Sequence, residues 1–495
     1  MTVSSDDGGA LVGLDLGTSG LKVVALGDDG QVLARSRSAY ATSRPEPGAA
    51  EQSPSHWWAA ATGAVRELAV QVRPERWRGI ALSGMLPTLV ALDAAGSPVT
   101  SAITWQDARS EAPGAELRAR IGAQELYRRT GQWVDGRYLL PMMAALAIRD
   151  PVAAGQARYL CGAKDYLFSL LTGELLTDPS TATGYGCYDL NSARWDAQVV
   201  AAAGDIIATG VPQLPEVLAS TTARPLRADA ASELGLPVGL PVVLGAADSV
   251  LGGYGLGVSH PGDIAYIAGT STVILGCRDT AATDEQHRFL VTPMADAGYA
   301  AEMDLLATGS AMAWLATLLG LGGVAELADL AQQVEPSRSP VFLPYLAPGE
   351  QGALWDPDLT GALLGVTLSH GPADVARALQ TGIVIESARC VAVLEQASGA
   401  MGPVTAPQIR AGGAASPAFA RDLADATGRA VLISPGEPDH SAVGAARLAG
   451  LALGQDLADA GLDAVLVSPV PARRQQWDDL FAAHESARVA NVVRR

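Results

Sequence analysis

The sequence predicts an α/β protein of two domains, and three observations carry that prediction. The chain has 495 residues, too many for one hydrophobic core. Gly-Thr-Ser occurs near the start of each half, at 17–19 and 269–271, each time between apolar, strand-like runs. After the second occurrence helical and strand-like segments alternate, which is the pattern of α/β layers. The boundary falls near residue 250 and gives domains 1–250 and 251–495.

Taken in order, residues 11–26 read as strand, tight turn, strand, with Gly17-Thr18-Ser19-Gly20 at the turn. Residues 28–34 add a turn and a third strand. A helix is expected over 53–72. Ser53-Pro54 starts it, and Trp57, Trp58, Ala61, Val65 and Leu68 share one face. A strand at 79–83 leads through a loop to another, with a turn at 93–96. The stretch 240–263 begins as a buried strand and continues as a glycine-rich loop. Residues 263–276 repeat the strand, Gly-Thr-Ser, strand unit, which suggests an ancient duplication. Helices follow at 308–320, 372–398, 417–427 and 440–453, and strands at 341–346, 408–411 and 430–433. The apolar run 311–325 is too short for a membrane span and reads as a buried helix. The C-terminal segment reads as helix and frayed tail.

Composition narrows the function. Apolar residues make up 48% and charged residues 17%, so the chain is globular and not disordered. The net charge of −18 offers no footprint for nucleic acid or an anionic membrane. Any phosphate site must then be built locally, from backbone N–H groups, a divalent cation and a lysine. The only lysines are Lys22 and Lys164. Cys161, Cys187, Cys277 and Cys390 form no CxxC pair and read as reduced, buried thiols. The N-terminus has no signal-peptide pattern, and the expected location is cytoplasmic. Neither lysine follows a glycine, which excludes a Walker A loop. The GxGxxA string at 320–325 follows a helix and not a strand, which argues against a dinucleotide site. The six histidines lack zinc-site spacing.

Several constellations can carry chemistry. Asp15 ends a strand just before the first Gly-Thr-Ser turn. It either holds a magnesium ion beside phosphates cradled by the turn or caps that turn. Thr18, Ser19 and Lys22 on the same hairpin favour the first reading. Asp248, among small residues, is either a general base for phosphoryl transfer to a hydroxyl or an acceptor of loop amides. Gly412-Gly413-Ala414-Ala415-Ser416, between a strand and a helix, is either a nucleotide seat or an ordinary turn. Gly309-Ser310 before a helix is a similar case. Trp105-Gln106-Asp107-Ala108-Arg109 either lines a sugar site or forms a surface loop with an ion pair.

GLDLGTSGLKV at 13–23, EQSPSHWW at 51–58, ITWQDAR at 103–109, AKDYLFSLLTGELLTDPS at 163–180, GAADSVLGGYGLG at 245–257, AGTSTV at 268–273, FLPYLAPGE at 342–350, GVTLSHGPADVARAL at 365–379 and AGGAASPAF at 411–419 occur in that order. In this ordered set the chain resembles the FGGY carbohydrate kinases, and among them the xylulokinases most. The resemblance implies two actin-like (ribonuclease H-like) domains around a central cleft that closes on its ligands. It implies ATP with Mg2+, and a small-molecule sugar as substrate, with no nucleic acid or membrane partner. A homodimer is the expected assembly. Asp15 would meet the metal. Gly17, Thr18, Ser19, Lys22, Gly269, Thr270, Ser271, Gly309, Gly412, Gly413 and Ser416 would meet the nucleotide. Asp248 would be the base. Met85, Leu86, Pro87, Trp105, Asp107, Arg109, Tyr138 and Ser249 would face the sugar.

Three positions depart from the xylulokinase pattern. Met85-Leu86-Pro87 stands where Gln-Met-His is usual, Ser249 where Asn is usual, and Gln351 where Arg is usual. The expected reaction is phosphorylation of D-xylulose to D-xylulose 5-phosphate. Another ketose, polyol or sugar acid (ribulose, erythritol, gluconate) and an actin-like ATPase without a sugar substrate are the alternatives.

Overall fold

A computed structural model describes residues 8–347, 352–356, 358–397, 409–434, 439–457 and 464–493. Gln351, with part of the segment 342–350, lies outside the described residues, as does the first residue of the strand expected at 408–411.

The first sheet contains β1 (Ala10–Leu16), β2 (Gly20–Gly27), β3 (Val32–Ala39), β4 (Trp77–Gly84), β5 (Ala223–Pro225) and β6 (Pro241–Ala247). Their spatial order is β5-β6-β4-β1-β2-β3. The second contains β7 (Ile264–Ala268), β8 (Thr272–Arg278), β9 (Leu290–Pro293), β10 (Tyr299–Leu305), β11 (Ile409–Gly413), β12 (Val431–Ile433) and β13 (Val465–Val467). Their order is β9-β10-β8-β7-β11-β12-β13. The two orders contain one unit twice. In β3-β2-β1-β4-β6 and in β10-β8-β7-β11-β12, three antiparallel strands continue into two parallel ones. The duplication suggested by the repeated turns is therefore a repeat of a five-stranded unit common to both sheets.

Side-chain alternation places the helices. Ala10, Val12, Leu14 and Leu16 of β1 join one core with Trp57, Ala61, Val65 and Leu68 of α1 (Pro54–Gln71) and Phe168 of α2 (Ala163–Thr172). The odd positions look the other way. There Leu11 packs in a second core with Val250 and Leu251 of α3 (Asp248–Gly255) and Leu448 and Ala449 of α7 (His440–Ala452). Ala265 of β7 joins this same core from the second sheet. The other face of β7 presents Ile264 and Tyr266 to Cys390, Val391 and Leu394 of α5 (Pro372–Ala397) and to Leu423 of α6 (Pro417–Thr427). So α3 and α7 lie between the two sheets. A lobe inserted in the first domain, with helices Glu111–Ile121 and Leu139–Arg149, has its own core.

Two expectations are corrected. The glycine-rich stretch after residue 247 is not a loop but the helix α3. Interior glycines cost a helix about 1 kcal/mol each, and here close packing overrides that cost. A Cβ on Gly255 would stand 2.0 Å from the His440 carbonyl, and one on Gly444 would stand 1.9 Å from that of Leu251. Only glycines let α3 and α7 cross this closely. The apolar run from 311 is only partly buried. It forms α4 (Gly309–Leu318), on which Trp314 and Leu318 are exposed. Among the described residues no helix is long and apolar enough to cross a membrane, and the four cysteines are buried and free.

Candidate active site

The β1–β2 register sets Asp15 opposite Lys22, and the parallel β1–β4 register sets it opposite Ser83. Cross-strand partners share a face, and this is the face turned to α7. The buried Asp15 accepts a hydrogen bond from Ser83 Oγ at 2.8 Å through Oδ1. Lys22 Nζ stands 3.7 Å from its Oδ2 and 3.8 Å from Oδ1 of Asp439, the residue that precedes α7. Burial raises the Asp15 pKa against the lowering pull of Lys22 and Ser83. The turn beyond Asp15 is held from outside. The Tyr40 hydroxyl donates to the Gly17 carbonyl, and Gln52 Nε2 donates to the Thr18 carbonyl at 2.8 Å. Trp105 Nε1 donates to Thr18 Oγ1 at 3.2 Å.

Asp248 opens α3 directly after β6, so its carboxylate sits at a helix N-terminus. Its Oδ1 accepts the Ser249 amide at 2.9 Å, and its carbonyl accepts Ser441 Oγ at 2.9 Å. Burial, then the charges of Asp15 and Glu302, push its pKa well up. The same two aspartates, Asp15 and Asp248, act with burial to raise the Tyr40 phenol, so the three groups are neighbours. Lys164 secures this corner from behind. It pairs with Asp165 and Asp178, both at 3.1 Å, and donates to the Leu244 carbonyl of β6 at 3.1 Å. Ser180 Oγ donates to Asp178 and accepts the amide of Ala247, the residue before Asp248, at 2.9 Å.

A cavity of about 250 Å3 lies between the halves. Asp248, the expected base, and Ser249, Leu86, Pro87, Trp105 and Tyr138, expected at the sugar, line it, together with Thr18 and Ser271 from the two turns. Met85, Asp107 and Arg109, also expected at the sugar, are not among its lining residues. Met85 is 2% exposed within the first core. Asp107 accepts the Ala50 amide at 2.9 Å and binds Arg109, which also reaches Glu46 and Glu51. This ion network braces the Trp105 loop from below. Sequence reasoning missed six polar lining residues: Gln132, Arg137, Thr183, Thr292, Glu302 and Asp304. One signal was present. In β10, YAAEMDL, the two acids stand two residues apart and so share one face of an otherwise apolar strand.

The second hairpin and its neighbours form the other wall. Gly269 and Thr270 are exposed at its tip. Gly309 approaches so closely that a Cβ there would stand 2.2 Å from the Gly269 carbonyl. Gly413 has a φ of +72°, and a Cβ on it would stand 2.1 Å from the Ala268 carbonyl. Its amide donates to His440 Nε2 at 3.1 Å. Ser416 Oγ caps α6 by accepting the Phe419 amide at 3.1 Å. Gly269, Gly309 and Gly413, three of the residues expected at the nucleotide, are thus adjacent in space. Gly412 is the exception in its exposure, being buried against His440.

The residues present fit a divalent cation carried by a nucleotide. Asp15 and Asp248 are neighbouring carboxylates whose repulsion helps to raise Asp248, and Lys22 opposes that rise. Oxygen ligands of this kind suit Mg2+, which keeps waters and binds through one or two carboxylates.

Residues 10–255 match the model of the FGGY family of carbohydrate kinases, N-terminal domain, and residues 264–453 match its C-terminal domain. A gluconokinase of Bacillus subtilis (strain 168) is 28% identical over 452 residues, 88% of this chain and 86% of that one. A xylulose kinase of Escherichia coli (strain K12) is 30% identical over 446 residues, 89% of this chain and 90% of that one. The crystal structure of xylulose kinase from Rhodospirillum rubrum superposes with a TM-score of 0.87 at 31% identity, covering 97% of this chain and 98% of that one.

Proposed function

Because this chain belongs to the FGGY family of carbohydrate kinases, we propose that it transfers the γ-phosphoryl group of ATP to a hydroxyl of D-xylulose, giving D-xylulose 5-phosphate and ADP. The observation that carries this reading is the position of Asp248. It stands in the cavity between the domains, with the first Gly-Thr-Ser turn on one side and the second on the other. A sugar hydroxyl set against Asp248 loses its proton to the carboxylate as the oxygen bonds to phosphorus and the bond to the ADP oxygen breaks. Mg2+ bound with the nucleotide supplies neutralisation of phosphate charge. Asp15 and Lys22 hold the metal and phosphate side. Trp105 and Tyr138 orient the acceptor, and the apolar Leu86-Pro87 pair closes the cavity against water.

A second reading is a kinase of another ketose, a polyol or a sugar acid. It is favoured by Leu86-Pro87 in the cavity wall, where no polar side chain reads a hydroxyl, and by the likeness to a gluconokinase. A panel assay separates the readings. Protein, Mg-ATP and ketopentoses, polyols, aldonates or hexoses are mixed and ADP is followed. Strong stimulation by D-xylulose supports the first reading, and stimulation by another compound alone eliminates it. ADP release that no acceptor changes would point to a plain ATPase.

A further inference from the structure

The acceptor end of the cavity carries a built set of polar groups that extends beyond the residues the proposed chemistry uses. Glu302 is 9% exposed and lines the cavity. Its Oε2 accepts Thr292 Oγ1 at 3.1 Å. Gln132 Nε2, from the first domain, reaches the Val291 carbonyl at 2.8 Å and Thr292 Oγ1 at 3.5 Å. Gln132 Oε1 in turn accepts the Tyr138 hydroxyl at 3.0 Å. The chain Tyr138–Gln132–Thr292–Glu302 spans the cleft and fixes one oxygen of the carboxylate. The Ser249 hydroxyl is buried at the same end of the cavity, close enough to Glu302 to draw its pKa down. Asp304 stands beside Glu302, and its charge helps burial to raise the Glu302 pKa.

The positive charge of this region is already engaged. Arg137 lines the cavity, but its Nε and Nη2 bind the Asp135 carboxylate at 2.6 to 3.1 Å, and its field also falls on Asp304. Three carboxyl groups, of Asp248, Glu302 and Asp304, face the same space against this one guanidinium.

We infer that Glu302, braced by Thr292 and Gln132 and seconded by Asp304, reads hydroxyl groups of an uncharged polyhydroxyl acceptor and rejects acceptors that carry a carboxylate. This rests on the kinase reading and sharpens it by choosing between the two acceptor chemistries of its relatives. Glu302 and the Ser249 hydroxyl accept from and donate to hydroxyls other than the one phosphorylated. A carboxylate brought into the same space meets three carboxyl groups and an engaged arginine.

The test compares a neutral ketose or polyol with the aldonate of equal carbon number, using the full chain with Mg-ATP. In the wild type, kcat/KM for the neutral acceptor is expected to exceed that for the aldonate by about 100-fold or more. Glu302→Gln is expected to raise KM for the neutral acceptor by about 10- to 100-fold, change kcat less, and narrow the preference over the aldonate. Thr292→Val shifts the same ratio in the same direction by less. An aldonate used as well as the neutral acceptor would overturn the inference while leaving the kinase reading standing. So would a preference that neither variant alters. If Glu302→Gln does not fold, Asp304→Asn and Thr292→Val decide the matter through the same ratio. ADP release that no acceptor stimulates would instead overturn the kinase reading and this inference with it.

Discussion

His440 Nε2 accepts the amide N–H of Gly413 at 3.1 Å, joining the first turn of α7 to the glycine turn of the second sheet. An acceptor nitrogen must be unprotonated, so the bond exists only with neutral imidazole. Burial, then the charges of Arg447, Lys22 and Arg35, lower the His440 pKa to about 4. The folded value lies below the unfolded value of about 6.5. The linked stability is therefore fully present above pH ~6.5 and is lost as the pH falls towards 4. The shift corresponds to about 3 kcal/mol. Melting curves at pH 7 and 4.5 check this, with His440→Gln expected to flatten the difference. An unchanged acid slope in the variant would remove His440 from the account.

Asp248→Asn keeps the shape of the carboxylate and removes its proton affinity. The expected loss is about 10²–10⁴-fold in kcat for the sugar-dependent reaction, with ADP binding by calorimetry near that of the wild type. Full turnover in the variant would take the base role away from Asp248.

The α3–α7 crossing predicts opposite outcomes for two glycine-to-alanine changes. A Cβ on Gly444 meets the Leu251 carbonyl at 1.9 Å, so Gly444→Ala should cost about 1–3 kcal/mol or more. Gly63 lies inside α1 with nothing within 4 Å of an added Cβ. Gly63→Ala should stabilise by about 0.5–1 kcal/mol. Denaturant titration of both measures the contrast. Equal effects would mean that the crossing gives way.

Lys164 is 1% exposed between two buried aspartates. Lys164→Met leaves Asp165 and Asp178 uncompensated, and a loss of about 3–5 kcal/mol is expected in the same titration. A loss below about 1 kcal/mol would show that the carboxyls take up protons instead.

Much of this molecule is legible in its sequence. The hairpins around both Gly-Thr-Ser turns can be read because turn glycines and β-branched flanks are local signals. So can α1, whose apolar face follows the helical period. The helix α3 cannot, because its glycines argue against a helix unless α7 is known to lie across them. Asp15 and Asp248 stand out as lone acids in apolar surroundings. Gln132, Arg137 and Thr292 do not, because the cavity they line is made by segments some 160 residues apart in the chain, as the Gln132–Thr292 contact illustrates. Met85 and Arg109 lie off the cavity lining for the complementary reason. Position in a motif does not say which way a side chain points, and these two turn to the core and to a carboxylate network.

The glycine contacts between α3 and α7 have a mechanical meaning. At Gly255 and Gly444 backbone lies directly on backbone, with no room for a side chain to compress or repack, so the joint has the stiffness of a bearing. Ser441 ties the carbonyl of Asp248 to that bearing at 2.9 Å. Rotation about an axis moves distant points most and points on the axis least. A swing of one sheet against the other would carry the outer rims of the cleft through a long arc while Asp248, at the pivot, keeps its place and its aim.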